Sequence, residues 1–275
     1  MASHLLPRSS LVLLFAGGLT AAAMAQQQSP NFEVASVKRN VSGRPAWNQN
    51  VQPGGRLVMT ATTLTKIIQF AYGIQEVQLV GGPEWVRGDR FDINAKAEFE
   101  VPDAEIRLMV RSLLVDRFRL VVRKEQREMP IHEVVMNRAD GRLGPNIVQV
   151  SSDEDCQAAA TRLTAAPGYQ KPPPGASAIR GQACGPAPSV FADLAYPYVK
   201  TAVVDKTGLT GKWLLLPYFA PDQTVGTGYR GQAPVDANLP SFFTAWQEQL
   251  GLRLRATRGI VDVLAIESVQ HPTEN

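Results

Sequence analysis

Ser241-Phe242-Phe243-Thr244-Ala245-Trp246-Gln247-Glu248-Gln249-Leu250-Gly251-Leu252-Arg253-Leu254-Arg255-Ala256-Thr257-Arg258-Gly259-Ile260 is the stretch on which the reading of this chain turns. Ser241 is suited to cap a helix, Phe242, Phe243, Trp246 and Leu250 follow at helical spacing, and Gly251 offers the left-handed position at which helices commonly end. Leu252, Leu254 and Ala256 then alternate with Arg253, Arg255 and Thr257, the two-residue period of a half-buried strand. Arg258-Gly259 predicts a turn, after which Ile260 to Val269 returns as a second strand.

The same succession of patterns occurs earlier. Pro102-Asp103 opens a helix in which Ile106, Met109, Val110, Leu113 and Leu114 form one apolar stripe while Arg107 and Arg111 share another face. Phe118, Leu120 and Val122 alternate with Arg117, Arg119, Val121 and Arg123, and Ile131 to Asn137 is expected to pair back on that strand. Segments 105–137 and 242–269 therefore share one grammar. Upstream, Val203 to Gly208 and Trp213 to Phe219 echo the turn and strand that follow the first helix. That helix is capped by Thr62 or Thr63, carries Leu64, Ile67, Ile68, Ala71 and Tyr72, and ends at Gly73. Phe32 to Lys38 and Phe91 to Ala97 read as strands, with Gly81-Gly82-Pro83 as a turn between helix and second strand. The expected fold class is α+β, two related halves, each with antiparallel strands packed against helices. The first half spans 26–150 and the second 190–275. A Pro- and Gly-rich loop over 151–189 joins them, and Pro197 stands near a helix expected to precede the Asp205 turn.

Ahead of both halves, Arg8, an apolar run from Leu11 to Met24 and the small residues Ala23 and Ala25 predict a signal peptide over 1–25. The run is shorter than the roughly 18 to 20 residues that cross a bilayer, and Gly17, Gly18 and Thr20 break it. The expected mature chain has no transmembrane segment and works outside the cytosol, in the periplasm or beyond the cell. Its charge is nearly balanced, 28 Lys and Arg against 25 Asp and Glu in the whole chain, which gives no long-range pull toward nucleic acid. The only cysteines, Cys156 and Cys184, lie in the linking loop. In an oxidising compartment they are expected to form a disulfide, and with no nearby histidine a metal or redox pair is the poorer reading.

No catalytic, cofactor-binding or metal-ligating residue is assigned, and no cofactor is expected. Beyond the signal peptide only His132 and His271 remain, neither in a zinc-peptidase spacing, and no Gly-x-Ser-x-Gly elbow exposes a serine. Asp205-Lys206-Thr207-Gly208-Leu209-Thr210 resembles the phosphorylated segment of ion pumps, but it reads as a Gly-containing turn after Val203-Val204. Gly54-Gly55 and Gly81-Gly82-Pro83 lack the spacing and Lys-Ser/Thr ending of phosphate loops. Asp89, Asp92, Glu98 and Glu100 have no calcium-loop spacing. Arg117 and Arg119 in one half, and Arg253 and Arg255 in the other, read as the wet face of a sheet, with a basic surface for an acidic partner as the alternative.

Several blocks together carry a family resemblance: Phe32 to Lys38, Gln69-Phe70-Ala71-Tyr72, Gly81-Gly82-Pro83 with Trp85, Leu113-Leu114 with Asp116-Arg117-Phe118, Val204 to Gly211, and Gln249-Leu250-Gly251-Leu252. In these the chain resembles a soil-associated acidobacterial secreted protein family defined by a domain of unknown function. The resemblance implies no catalytic residues. In some relatives a similar region is attached to membrane-embedded zinc peptidases of the beta-lactam-sensor type, which implies sensing or binding outside the membrane. The expected role is a non-enzymatic binding or sensory module of the cell envelope, its partner an unidentified envelope protein or ligand. The alternatives are an envelope hydrolase whose site is assembled from scattered residues, and an assembly module that pairs through strand edges.

Overall fold

The computed structural model describes residues 30–43, 48–151, 154–221 and 238–272, and the expected signal peptide lies outside them. The chain first lays down β1 (Val34–Arg39), β2 (Asn48–Gln52) and β3 (Arg56–Thr63), then α1 (Leu64–Tyr72), β4 (Leu79–Gly81), the short α2 (Trp85–Gly88) and β5 (Arg90–Lys96). It continues through α3 (Asp103–Phe118) into the long β6 (Val121–Met136). A second series follows: β7 (Ile147–Val150), α4 (Cys156–Ala165), β8 (Ile179–Arg180), β9 (Ala183–Pro186), α5 (Ala187–Val199) and β10 (Ala202–Asp205). The series closes with β11 (Lys212–Leu215), β12 (Tyr218–Phe219), α6 (Phe242–Glu248) and the long β13 (Leu252–Ser268). The architecture is α+β.

Local chemistry accounts for the helices. Thr63 caps α1 by accepting the Lys66 N–H, and Gly73 closes it in the left-handed region at φ 65°. Ser241 caps α6 through the Thr244 N–H, and Asp155 caps α4 through the Ala158 N–H. The helices α3 and α5 end instead on Arg119 and Lys200, both left-handed. Arg117 and Arg119 thus belong to a helix and its cap, not to a strand as expected.

Neither expected hairpin forms. The strands β6 and β13 each run unbroken and pair antiparallel along their length, with Leu252 opposite Met136 and Ile266 opposite Val122. Gly259 sits inside the ribbon, where an added Cβ would lie 2.6 Å from the terminal Cδ1 of Ile131 and would make that methyl shift. The polar stretch that suggested a turn is where the ribbon passes between two hydrophobic cores. Near one end, Leu264, Val122 and Ile266 pack with the core of β1, β3, β5, α1 and α3. Near the other, Leu252, Leu254 and Val134 pack with the core of α5, α6, β11 and β12.

Two parallel pairings complete the central sheet, so its strands are not all antiparallel. β10 joins β6 from Ala202 opposite Ile131 to Asp205 opposite Val134, and β4 joins β13 from Leu79 opposite Leu264 to Gly81 opposite Ile266. The order is β10-β6-β13-β4. Other strands form the sheets β1-β5-β3-β2, β7-β11-β9 and β12-β8. The chain makes the same walk twice. β1 is antiparallel to β5 and β5 to β3, while β7 is antiparallel to β11 and β11 to β9. A helix follows β3 and β9, a strand of the central sheet comes next, and a second helix leads into each long strand.

The segment 151–189 is more than a loop. It holds α4, β8 and β9, and β9 pairs with β11 in the register Cys184 opposite Leu214. β7, which the expected boundary at 150 would leave with the first half, also pairs with β11. Cys156 and Cys184 form the disulfide, tying the first residue of α4 to β9. Ala159 and Leu163 of α4 bury against Val150 and Leu214.

Candidate functional site

The outward faces of α1 and α5 are turned toward one another. Leu64, Ile67, Ile68 and Ala71 point into one core, which leaves Lys66, Gln69, Phe70 and Gly73 on the opposite side of α1. Val190, Phe191, Leu194 and Ala195 do the same for α5, leaving Ser189, Ala192, Asp193 and Tyr196. Between them is a cleft of about 620 Å³, closed at one side by Arg107 of α3 and by Gln75 and Val203. This size falls in the range of about 300 to 1,000 Å³ usual for small-molecule sites.

A two-point clasp sets the spacing of its walls. Gln75 Nε2 donates to the Val203 carbonyl at 2.7 Å, and the Val203 N–H donates to Gln75 Oε1 at 2.7 Å, so the side-chain amide serves as a strand edge for β10. The same device recurs at Gln249, whose amide takes the Tyr218 N–H and donates to the Tyr218 carbonyl, both at 2.8 Å. Gln249 is buried with Asn146, whose Nδ2 donates to the carbonyls of Gln170 and Leu216 at 2.9 and 3.0 Å.

Arg107 and Arg111, expected to share a face of α3, both reach the end of α1. Arg107 Nη1 donates to the Phe70 carbonyl at 3.0 Å and Arg111 Nε to the Ala71 carbonyl at 2.8 Å. Each guanidinium also lies over a ring, 4.8 Å from Phe70 and 4.7 Å from Tyr72. They satisfy helix carbonyls that lack partners within α1.

The cleft is lined by charges of both signs. Lys66 pairs with Glu76 at 3.2 Å. Asp193 has no described hydrogen bond, and although its own surface remains open, the surrounding protein raises its pKa, with Arg107 and Lys66 opposing that rise. The Tyr196 hydroxyl is raised by burial first and by Glu76 second. The Gln69 amide nitrogen is buried with no hydrogen-bond partner among the described residues, and Gln69 lines the cleft. Sequence periodicity exposes which residues face away from each core, but not that two such faces meet.

The other candidates fall elsewhere. His132 Nδ1 lies 2.7 Å from Thr201 Oγ1, and among the described residues it hydrogen-bonds no carboxylate. Burial lowers its pKa. His271 Nε2 lies 3.0 Å from Asp89 Oδ2 and its ring stacks on Trp85 at 3.9 Å, while Arg39 holds the other Asp89 oxygen at 3.0 Å. The hydrogen bond from His271 is the largest cause of a lowered Asp89 pKa. Asp92 is structural: its Oδ1 accepts the N–H of Ala61, a left-handed residue (φ 51°) at a bulge in β3. Asp205 Oδ1 accepts from the N–H and hydroxyl of Thr207, each at 2.8 Å, as the turn reading expects. Arg255 is ion-paired with Glu133 across the ribbon, while Arg253 is an exposed residue of β13. Among the described residues, no group of three or more His, Cys, Asp or Glu side chains is placed to hold a metal ion. No described helix is long and apolar enough to cross a membrane.

These features define an α+β protein in which α1 and α5, each packed on its own core, face each other across a charged cleft. The chain belongs to the family described as Protein of unknown function (DUF3738), whose model matches residues 65–269, from the first turn of α1 to just beyond β13. No curated protein and no solved structure matches it.

Proposed function

We propose that this protein is a binding module of the cell envelope, exported by the signal peptide over 1–25, which takes a small ligand into the cleft between α1 and α5. The supporting observation is the cleft itself: its walls belong to different cores, a side-chain clasp fixes their spacing, and Asp193 opens into it without a hydrogen-bond partner among the described residues. The Cys156–Cys184 disulfide suits an oxidising compartment. The repeated walk supports two halves related by duplication, with the cleft where corresponding helices meet, and with β7 and β9 counted in the second half.

The test uses a substitution in the cleft at an exposed position. Wild-type protein and Ser189→Trp are incubated with a small-molecule extract of envelope, passed through gel filtration and analysed by mass spectrometry for retained compounds. The wild type is expected to retain a compound that Ser189→Trp releases. Equal retention by both, or retention by neither, overturns the reading.

Assembly through a strand edge is a second reading, favoured by β1. It ends its sheet, and Val34 on it is 63% exposed. Oligomers that dissociate on Val34→Lys would support that reading, and a monomer at all concentrations would remove it.

A further inference from the structure

We infer that the α1–α5 cleft takes a small zwitterion, an α-amino acid or short unblocked peptide, with its ammonium group toward Asp193 and its carboxylate toward Lys66 and Arg107. This rests on reading the cleft as a binding site and adds the chemical class of the ligand. The lining carries two cations, Lys66 and Arg107, and two carboxylates, Glu76 and Asp193. Bonding capacity of both signs remains. Lys66 Nζ has one described bond, to Glu76, and Arg107 has one, from Nη1 to the Phe70 carbonyl. Asp193 accepts none among the described residues.

A simple cation is disfavoured because Lys66 and Arg107 line the same cleft as Asp193. A simple anion is disfavoured because Glu76 and Asp193 face the same space. A molecule carrying both charges meets each with its complement. Ile74, Ala192 and Pro197 give an apolar wall for its side chain, and Phe70 is already covered by Arg107. The volume of about 620 Å³ accommodates a dipeptide with water to spare.

Calorimetry on the full chain would use leucine and leucylglycine, with their N-acetyl and C-terminal amide forms. The unblocked compounds are expected to bind, and blocking either end should weaken binding at least tenfold. Asp193→Asn, at an exposed position that the fold tolerates, should weaken the unblocked compounds by a similar factor and leave the N-acetyl forms unchanged. Blocked and unblocked forms binding equally, an unaffected Asp193→Asn, or no binding of any of them would overturn the zwitterion assignment. If Ser189→Trp still abolishes retention of an envelope compound, only the ligand class has failed. If it does not, the cleft reading has failed as well.

Discussion

Burial holds His132 below the ordinary histidine pKa, and this has a definite sign in a stability measurement. The unfolded chain takes up the proton first as the solution is acidified, so the contribution of the neutral imidazole is complete above about pH 6.5 and declines as pH falls through the lower folded value. Urea midpoints measured at about pH 7.5 and about pH 5, either side of the ordinary histidine value, should therefore differ less in His132→Gln than in the wild type. Equal differences in the two proteins would show that the ring is not the group responsible. Asp89 has the same direction at lower pH: its depressed pKa gives stability that is present above the ordinary aspartate range and lost as the carboxylate protonates. At this scale the sequence was only partly legible. The caps Thr63 and Ser241, the terminator Gly73 and the turn at Asp205 follow from local hydrogen bonding and were expected. The contacts of His132 with Thr201 and of His271 with Asp89 join residues far apart in the chain, and no local pattern reports them.

Among the elements, the long ribbon carries the main departure from expectation. Gly259→Ala should destabilise by no more than about 1.5 kcal/mol, because the new methyl meets only the terminal Cδ1 of Ile131, which must turn to a less favoured rotamer. Ile131→Val removes that atom. The double variant should lose less than the sum of the single losses, as a double-mutant cycle in denaturant would show. Strict additivity would mean that Gly259 serves some purpose other than making room. The disulfide acts on a different element. Its 28-residue separation corresponds to about 3.5 kcal/mol of loop-closure entropy, so Cys156→Ser with Cys184→Ser should lower stability by up to that amount. Faster hydrogen exchange should concentrate in α4, whose own buried contacts are few. Glycine followed two residues after an alternating strand has the same local signature for a turn and for a crowded strand position. That signal predicted the turn at Arg258-Gly259, while the first hairpin was read from two alternating runs on either side of the largely polar residues 124–130, and neither pattern excludes one long strand.

Across the whole molecule, β6 and β13 each contribute to both cores, Val122 and Leu264 to the first and Val134 and Leu252 to the second. Neither core can lose its packing without disturbing strands that serve the other. Ile106→Ala in the first core and Leu250→Ala in the second should each move a single unfolding transition, with tryptophan fluorescence and far-ultraviolet dichroism coincident. Two resolved transitions, each shifted by only one variant, would mean that the cores are independent.

The sequence by itself determined the α+β class, the positions of α1, α3 and α6 and the identity of the cysteine pair, because these rest on periodicity, capping and composition within short windows. Tertiary structure alone decided that each expected hairpin would be one long strand of a single ribbon, that β4 would pair with β13 and β10 with β6, and that α1 and α5 would face each other over a charged cleft. The reason is physical: each of these outcomes is fixed by packing and hydrogen bonds between residues distant in the chain, which a local pattern permits but does not choose.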